Sequence, residues 1–118
     1  MTRRAEPATG ALRTTDLLVL AVLADGPQHG YALAQAIGAR TRQMIAIRPG
    51  DLYRVLYRLH DTGLVEQVPE AARPPGDERR AYYRLTPAGR KAARDQARLL
   101  AEVCAPLFAP ARGARGPA

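Results

Sequence analysis

The chain has 118 residues, 47% of them hydrophobic, which is the size and apolar content of one small domain closing one core. Aromatic residues make up only 5%, so the core must be assembled from Leu, Val, Ile and Ala on helices, and a ligand pocket built wholly inside one protomer is disfavoured. Eighteen Lys and Arg against eleven Asp and Glu give a formal charge of +7, which favours a polyanionic partner.

Residues 1–11, rich in Arg, Ala, Pro and Gly, have no hydrophobic period and read as a flexible N-terminal arm. A first helix is expected with Thr14 or Thr15 as its cap and Asp16 in its first turn, ending at Asp25-Gly26-Pro27. Apolar residues occupy nearly its whole circumference from Leu17 to Leu23, so it belongs in the core or in a subunit interface. His29-Gly30-Tyr31 opens a second helix, with Leu33 and Ile37 inward and Gly38 as its stop. Met44 to Ile47 is short enough for a small strand, and Arg48-Pro49-Gly50 then turns into a third helix that Gly63 ends.

In that third helix Leu52, Val55, Leu56 and Leu59 follow the i, i+3, i+4, i+7 spacing of a buried face. Arg54, Tyr57, Arg58 and Asp61 fall on the opposite side. Leu64 to Val68 and Arg80 to Leu85 read as two strands of a hairpin whose long, partly basic tip contains Pro69, Arg73-Pro74-Pro75-Gly76 and Asp77. Thr86 caps and Pro87 starts a last helix, apolar at Ala93, Ala97, Leu100, Val103, Cys104 and Leu107, with Pro106 near its end. A long helix with such a stripe calls for a partner. Residues 108–118 read as a disordered tail.

The expected fold is therefore mainly α with a small β-hairpin: a winged helix-turn-helix over residues 12–85 and a C-terminal dimerisation helix over 86–107. Four segments in this order resemble the PadR family of bacterial transcriptional regulators: Leu17 to Leu23 with Gly26-Pro27-Gln28-His29-Gly30-Tyr31, Pro49-Gly50-Asp51-Leu52-Tyr53, Gly63-Leu64-Val65, and Tyr82-Tyr83-Arg84-Leu85-Thr86-Pro87-Ala88-Gly89. The resemblance covers about residues 12–107. It implies a homodimeric repressor binding double-stranded DNA and, for some members, a small-molecule effector near the dimer interface. Two positions depart from the family pattern. Asp51 stands where the family usually has Thr, and Arg54 where it usually has Pro. Asp51 can cap the helix but brings negative charge toward phosphates, whereas Arg54 adds a donor able to reach bases. The C-terminal part is the short kind, with one helix.

The expected DNA-binding residues are Tyr31, Asp51, Tyr53, Arg54, Tyr57, Arg58, Arg73, Arg79 and Arg80. Arg54 and Arg58 can fork to guanine or phosphate; the bland alternative is a solvated face with Asp61 as ion-pair partner. The resemblance favours Tyr53 for phosphate contact, while Tyr53, Tyr57 and Tyr31 could each pack structurally instead. Arg73, Arg79 and Arg80 would serve the wing, set against Glu70, Asp77 and Glu78 in the same stretch. Dimerisation is expected from Leu17, Leu20, Ala93, Ala97, Leu100, Val103, Cys104 and Leu107.

Enzymatic chemistry finds little support. His29 and His60 lie in different elements, no Gly-rich phosphate loop follows a strand, and neither histidine stands with Cys104 at a metal-ligand spacing, so no cofactor and no metal are expected. Cys104 alone makes no internal disulfide and reads as apolar filler in a reducing compartment. The longest apolar run, Leu17 to Ala24, is far below the roughly 20 residues that span a bilayer, so a cytoplasmic protein without membrane contact is expected. The alternative function is a winged-helix module for protein interaction or ligand sensing without direct DNA reading. Asp51 keeps it open.

Overall fold

The computed structural model describes residues 11–110. The expected arm and tail lie almost wholly outside them. Four α-helices, α1 (Thr14–Leu23), α2 (Gly30–Arg40), α3 (Pro49–Asp61) and α4 (Pro87–Cys104), accompany three strands, β1 (Gln28–His29), β2 (Val65–Gln67) and β3 (Tyr82–Leu85). Single 3₁₀ turns occupy Glu70–Ala72 and Ala105–Phe108. All pairing is antiparallel in the order β1-β3-β2, so the hairpin strand β3 lies between its partner β2 and the two-residue β1.

The apolar helix α1 is the centre of the core. Val19 and Leu20 are fully buried, and they meet Leu33 and Ile37 of α2, the four inward residues of α3, and Leu64, Val65 and Tyr83 of the hairpin in one cluster. Leu20 therefore belongs to the protomer's own interior and cannot lie at a subunit interface, contrary to its expected dimer role. The cap of α1 also differs. Arg13 occupies the N-cap position, and the Asp16 carboxylate accepts its N–H at 2.9 Å, so the first-turn acid does the work expected of a threonine.

Two other expectations need correction. Met44 to Ile47 forms no strand, because the Thr41 hydroxyl accepts the Ile45 N–H at 3.1 Å and bonds the Ile37 carbonyl at 2.8 Å, tying this segment to the end of α2. Gly38 does not stop α2, which continues to Arg40. Gln43, in the left-handed region at φ 65, folds back over Gly38 and its N–H bonds the Gly38 carbonyl at 2.7 Å. The strand that completes the sheet comes instead from Gln28–His29, too short to carry an alternating signal.

α3 keeps its expected limits, and Gly63 at φ +81 makes the turn into β2. The Thr86 hydroxyl accepts the Gly89 N–H at 3.0 Å and donates to the Gly63 carbonyl at 2.7 Å, which fixes the start of α4 against the end of α3. Gly89 is required there: a Cβ would lie 2.0 Å from the Leu64 carbonyl oxygen. Gln96 exchanges two hydrogen bonds with the backbone of Leu12, at 2.7 and 2.8 Å, tying α4 to the approach to α1. Beyond it Ala97, Leu99, Leu100, Val103 and Leu107 are exposed, and Cys104 is partly so.

Candidate nucleic-acid interface

α3 is amphipathic in the way its sequence requires. Leu52, Val55, Leu56 and Leu59 are at most 7% exposed and anchor it on α1 and α2. On the other side Tyr53 is 49% and Tyr57 74% exposed, large values for aromatic side chains. Arg54, on the same outward side, is 81% exposed. Its Nη1 pairs with Asp51 Oδ1 at 3.1 Å, so Asp51 does not cap the helix but holds the arginine that follows it by one turn. The two departures from the family pattern thus form one ion pair.

Arg58 behaves differently from its expected place on a free outward face. Its guanidinium is bound to Asp16 of α1, a carboxylate buried to 6% exposure, while the arginine side chain keeps 36% of its surface. Asp61, the partner expected from helical spacing, is not the one used. The physical reason is burial: a carboxylate in the core is far more costly to leave unpaired than one on the surface. Arg58 is first an internal tie between α3 and α1, with only its remaining surface open to a ligand.

The hairpin loop shows a similar division. Arg73 Nε donates to the Val68 carbonyl at 2.9 Å and Nη1 to the Glu78 carbonyl at 2.8 Å, so this arginine braces the loop from within and only the rest of its guanidinium is open to a ligand. Arg79 is exposed. Arg80 Nε pairs with Asp77 at 3.3 Å, and its Nη1 lies 2.9 Å from His29 Nε2. Asp77 also accepts the Tyr82 hydroxyl at 2.5 Å, and this bond, ahead of burial, raises the Tyr82 phenol above its ordinary 10.0. Burial raises Tyr83 as well, helped by the nearby Tyr53 phenol and opposed by Arg73.

Tyr31, Tyr53 and Arg80, expected separately, are brought together with His29, Gly30 and Ala81 around an open cleft of about 270 Å³. Tyr53 lies so close over Gly30 that a Cβ there would be 2.6 Å from its hydroxyl. His29 was missing from the expected site because histidine is an uncommon helix cap; here its Nδ1 accepts the Ala32 N–H at 3.2 Å. The signal available in the sequence was its position directly before Gly30-Tyr31. Asp16 was likewise read only as a helix-start charge. Arg54, Tyr57 and Arg79 stand apart from the cleft's lining.

Comparison with known proteins agrees with this architecture. Residues 19–95 match the family described as the transcriptional regulator PadR-like family. "Transcriptional regulator Rv3488" of Mycobacterium tuberculosis is 39% identical over 87 residues, covering 74% of this chain and 76% of that protein. An "uncharacterized 37.1 kDa protein in transposon TN4556" of Streptomyces fradiae is 37% identical over 99 residues, 82% of this chain but only 26% of that protein, so the chain spans about a quarter of this relative's length. Among solved structures, Bacillus subtilis PadR in complex with operator DNA superposes with a TM-score of 0.60 at 21% identity, over 70% of this chain and 46% of that one, a likeness of fold. No helix among the described residues is long and apolar enough to cross a membrane. A helix-turn-helix seated on a buried α1, a three-stranded wing and a protruding last helix, matched over most of its length by these relatives, place the chain in the PadR-like family of transcriptional regulators.

Proposed function

We propose that the protein is a homodimeric repressor that binds an inverted-repeat operator, with α3 in the major groove and the β2–β3 loop along the adjacent backbone. The observation that carries this reading is the uncovered row Tyr53, Arg54 and Tyr57 on α3, opposite four sealed apolar residues. Forked guanidinium donors and phenol hydroxyls suit guanine edges and phosphates. The formal charge of +7 supports it electrostatically. That the Bacillus subtilis neighbour was solved with operator DNA is in keeping with it.

The exposed second half of α4 supports the dimer. Leu99, Leu100 and Val103 are 43–68% exposed along it, and Leu107 and Phe108 in the 3₁₀ turn that follows are 79% and 84% exposed. A second copy of the same helix covers such a stripe and sets two α3 helices about 34 Å apart, one turn of DNA. Leu17, Ala93, Ala97 and Cys104 border this surface in our reading. Within the same proposal, a small apolar effector lodged between the paired α4 helices would change that spacing and release the operator. A cytoplasmic location accords with contact to the chromosome.

The second reading, a module that binds protein in place of DNA, draws on Asp51, a carboxylate in the first turn of α3 that neutralises Arg54 beside it. A mobility-shift assay on the region upstream of the protein's own gene separates the two. A shift that resists nonspecific competitor supports regulation through DNA; no shift at any protein concentration, with the chain folded, supports the module. Sedimentation of wild type and Leu100→Asp/Val103→Asp tests the dimer: a dimer that the double substitution splits is expected, and a wild-type monomer at micromolar concentration contradicts it.

A further inference from the structure

We infer that Asp51 and Arg54 act on DNA as one unit that sets its sequence preference: the carboxylate holds the guanidinium for a guanine in the major groove and cancels its attraction for phosphate. This rests on the DNA-binding reading and makes the pair a specificity determinant within it.

The contact leaves the arginine free to read. Asp51 Oδ1 accepts from Arg54 Nη1 at 3.1 Å, and no other hydrogen bond engages that guanidinium among the described residues. Nε and Nη2, which form a separate edge of the guanidinium, keep two parallel N–H donors. Two such donors match the N7 and O6 acceptors of guanine, and no other base presents two acceptors side by side in the major groove. The other arginine of α3 lacks this freedom, because Arg58 is bound to the buried Asp16. Asp51 and Arg54 stand in the first two turns of α3, 57% and 81% exposed, where a helix seated in the major groove brings its side chains to base edges. Both residues depart from the family pattern, so the contact is this chain's own.

The carboxylate has a purpose that a neutral residue could not serve. A lone arginine at this place would hold any phosphate within reach, whatever the sequence. With Asp51 attached the pair has no net charge, and the carboxylate also offsets the positive end of α3. Phosphate gains little from such a pair, whereas guanine still finds its two donors. Holding the side chain in advance also reduces the rotamer freedom that an exposed arginine loses on binding. Asp51 Oδ2 has no partner among the described residues; it suits the N4 amine of cytosine and repels the acceptor edges of guanine and thymine. A negative charge beside DNA thus lowers affinity for every duplex and raises the difference between the right one and the wrong one.

The test uses the full chain. Its best-bound duplex is selected from a randomised pool, and each guanine of that duplex is replaced in turn by 7-deazaguanine, which lacks the N7 acceptor. At least one replacement should cost wild type about fivefold or more in affinity, while Arg54→Ala binds that modified duplex and the unmodified one alike. Asp51→Asn should bind an unrelated duplex more tightly than wild type does, with a log-log salt slope steeper by about 0.9 for the phosphate that Arg54 then meets. Its preference for the selected duplex over the unrelated one should fall about fivefold or more. Thermal melting of both variants should match wild type, since both residues are exposed. If Asp51→Asn leaves that preference unchanged, or no 7-deazaguanine position loses its effect in Arg54→Ala, the inference is overturned, while wild-type binding to the selected duplex keeps the DNA-binding reading. A chain that enriches no sequence from the pool overturns both.

Discussion

Arg58, on the helix that faces outward, is bound to Asp16, a carboxylate buried inside the protomer at the start of α1. The same carboxylate caps α1 through the Arg13 N–H, and the neighbouring Leu12 is hydrogen-bonded to Gln96 of α4. Helix α3 is thereby fixed relative to α1 and, one residue further, to the helix that carries the exposed apolar stripe. Breaking a buried ion pair by removing one partner costs about 3–5 kcal/mol; with Arg58 a third exposed, about 2–3 kcal/mol is expected for Arg58→Ala. Urea unfolding measures it. Asp16→Leu/Arg58→Leu should recover part of the loss, since it leaves no charge stranded. A loss below about 0.5 kcal/mol for Arg58→Ala would show that the tie contributes nothing. Any fall in DNA affinity on changing Arg58 must accordingly be read beside its effect on stability.

Gly89→Ala places a methyl group 2.0 Å from the Leu64 carbonyl oxygen, which is backbone and cannot step aside. We expect a destabilisation of about 1–3 kcal/mol from the forced separation of α4 and β2. Gly50→Ala is the control, because a Cβ there meets nothing within 4 Å. Its unfolding midpoint should stay at or slightly above that of wild type.

Gly30→Ala acts on another kind of neighbour. The added Cβ would be 2.6 Å from the Tyr53 hydroxyl, at the far end of a side chain that can swing toward solvent. Stability should change by less than about 1 kcal/mol, while duplex affinity falls severalfold because the phenol leaves the cleft. Equal affinity for the variant and wild type would remove Tyr53 from the interface.

The Tyr82–Asp77 hydrogen bond gives the hairpin an alkaline limit. The folded phenol titrates above its ordinary value of 10.0, so its contribution is complete below about pH 10 and is lost as pH rises through the raised folded value. Stability followed by denaturant unfolding should fall over that alkaline window, and Tyr82→Phe should flatten the fall. An identical alkaline decline in Tyr82→Phe would assign it to another group.

Periodicity and turn chemistry made much of this architecture legible. The four apolar positions of α3, the cap at Thr86, the turn at Gly63 and the emergence of α4 from the body are all local signals, and each is found where it was expected. What escaped depends on partners distant in sequence. β1 exists because Gln28 and His29 lie beside Tyr83 and Tyr82, more than fifty residues away. Arg58 turns from solvent to Asp16 across 42 residues, and a helical wheel, which sees only neighbours three and four positions apart, offers Asp61 instead. The interior place of Leu20 and the bracing bonds of Arg73 escape for the same reason. A wholly apolar helix does not state which of its sides meets its own core, and an arginine in a loop does not state whether it braces that loop. The cleft was half visible: Tyr31, Tyr53 and Arg80 were singled out, but their meeting at His29 is a property of the fold.

The central claim is that the outward side of α3 touches DNA, and the dissociation constant of Arg54→Ala/Tyr57→Ala for the protein's own upstream duplex, in the presence of nonspecific competitor, addresses it most directly. Both side chains are exposed, so the folded protein should be unaffected. The account predicts that specific affinity drops by about tenfold or more, the value of one good base contact. A dissociation constant equal to that of wild type would contradict it.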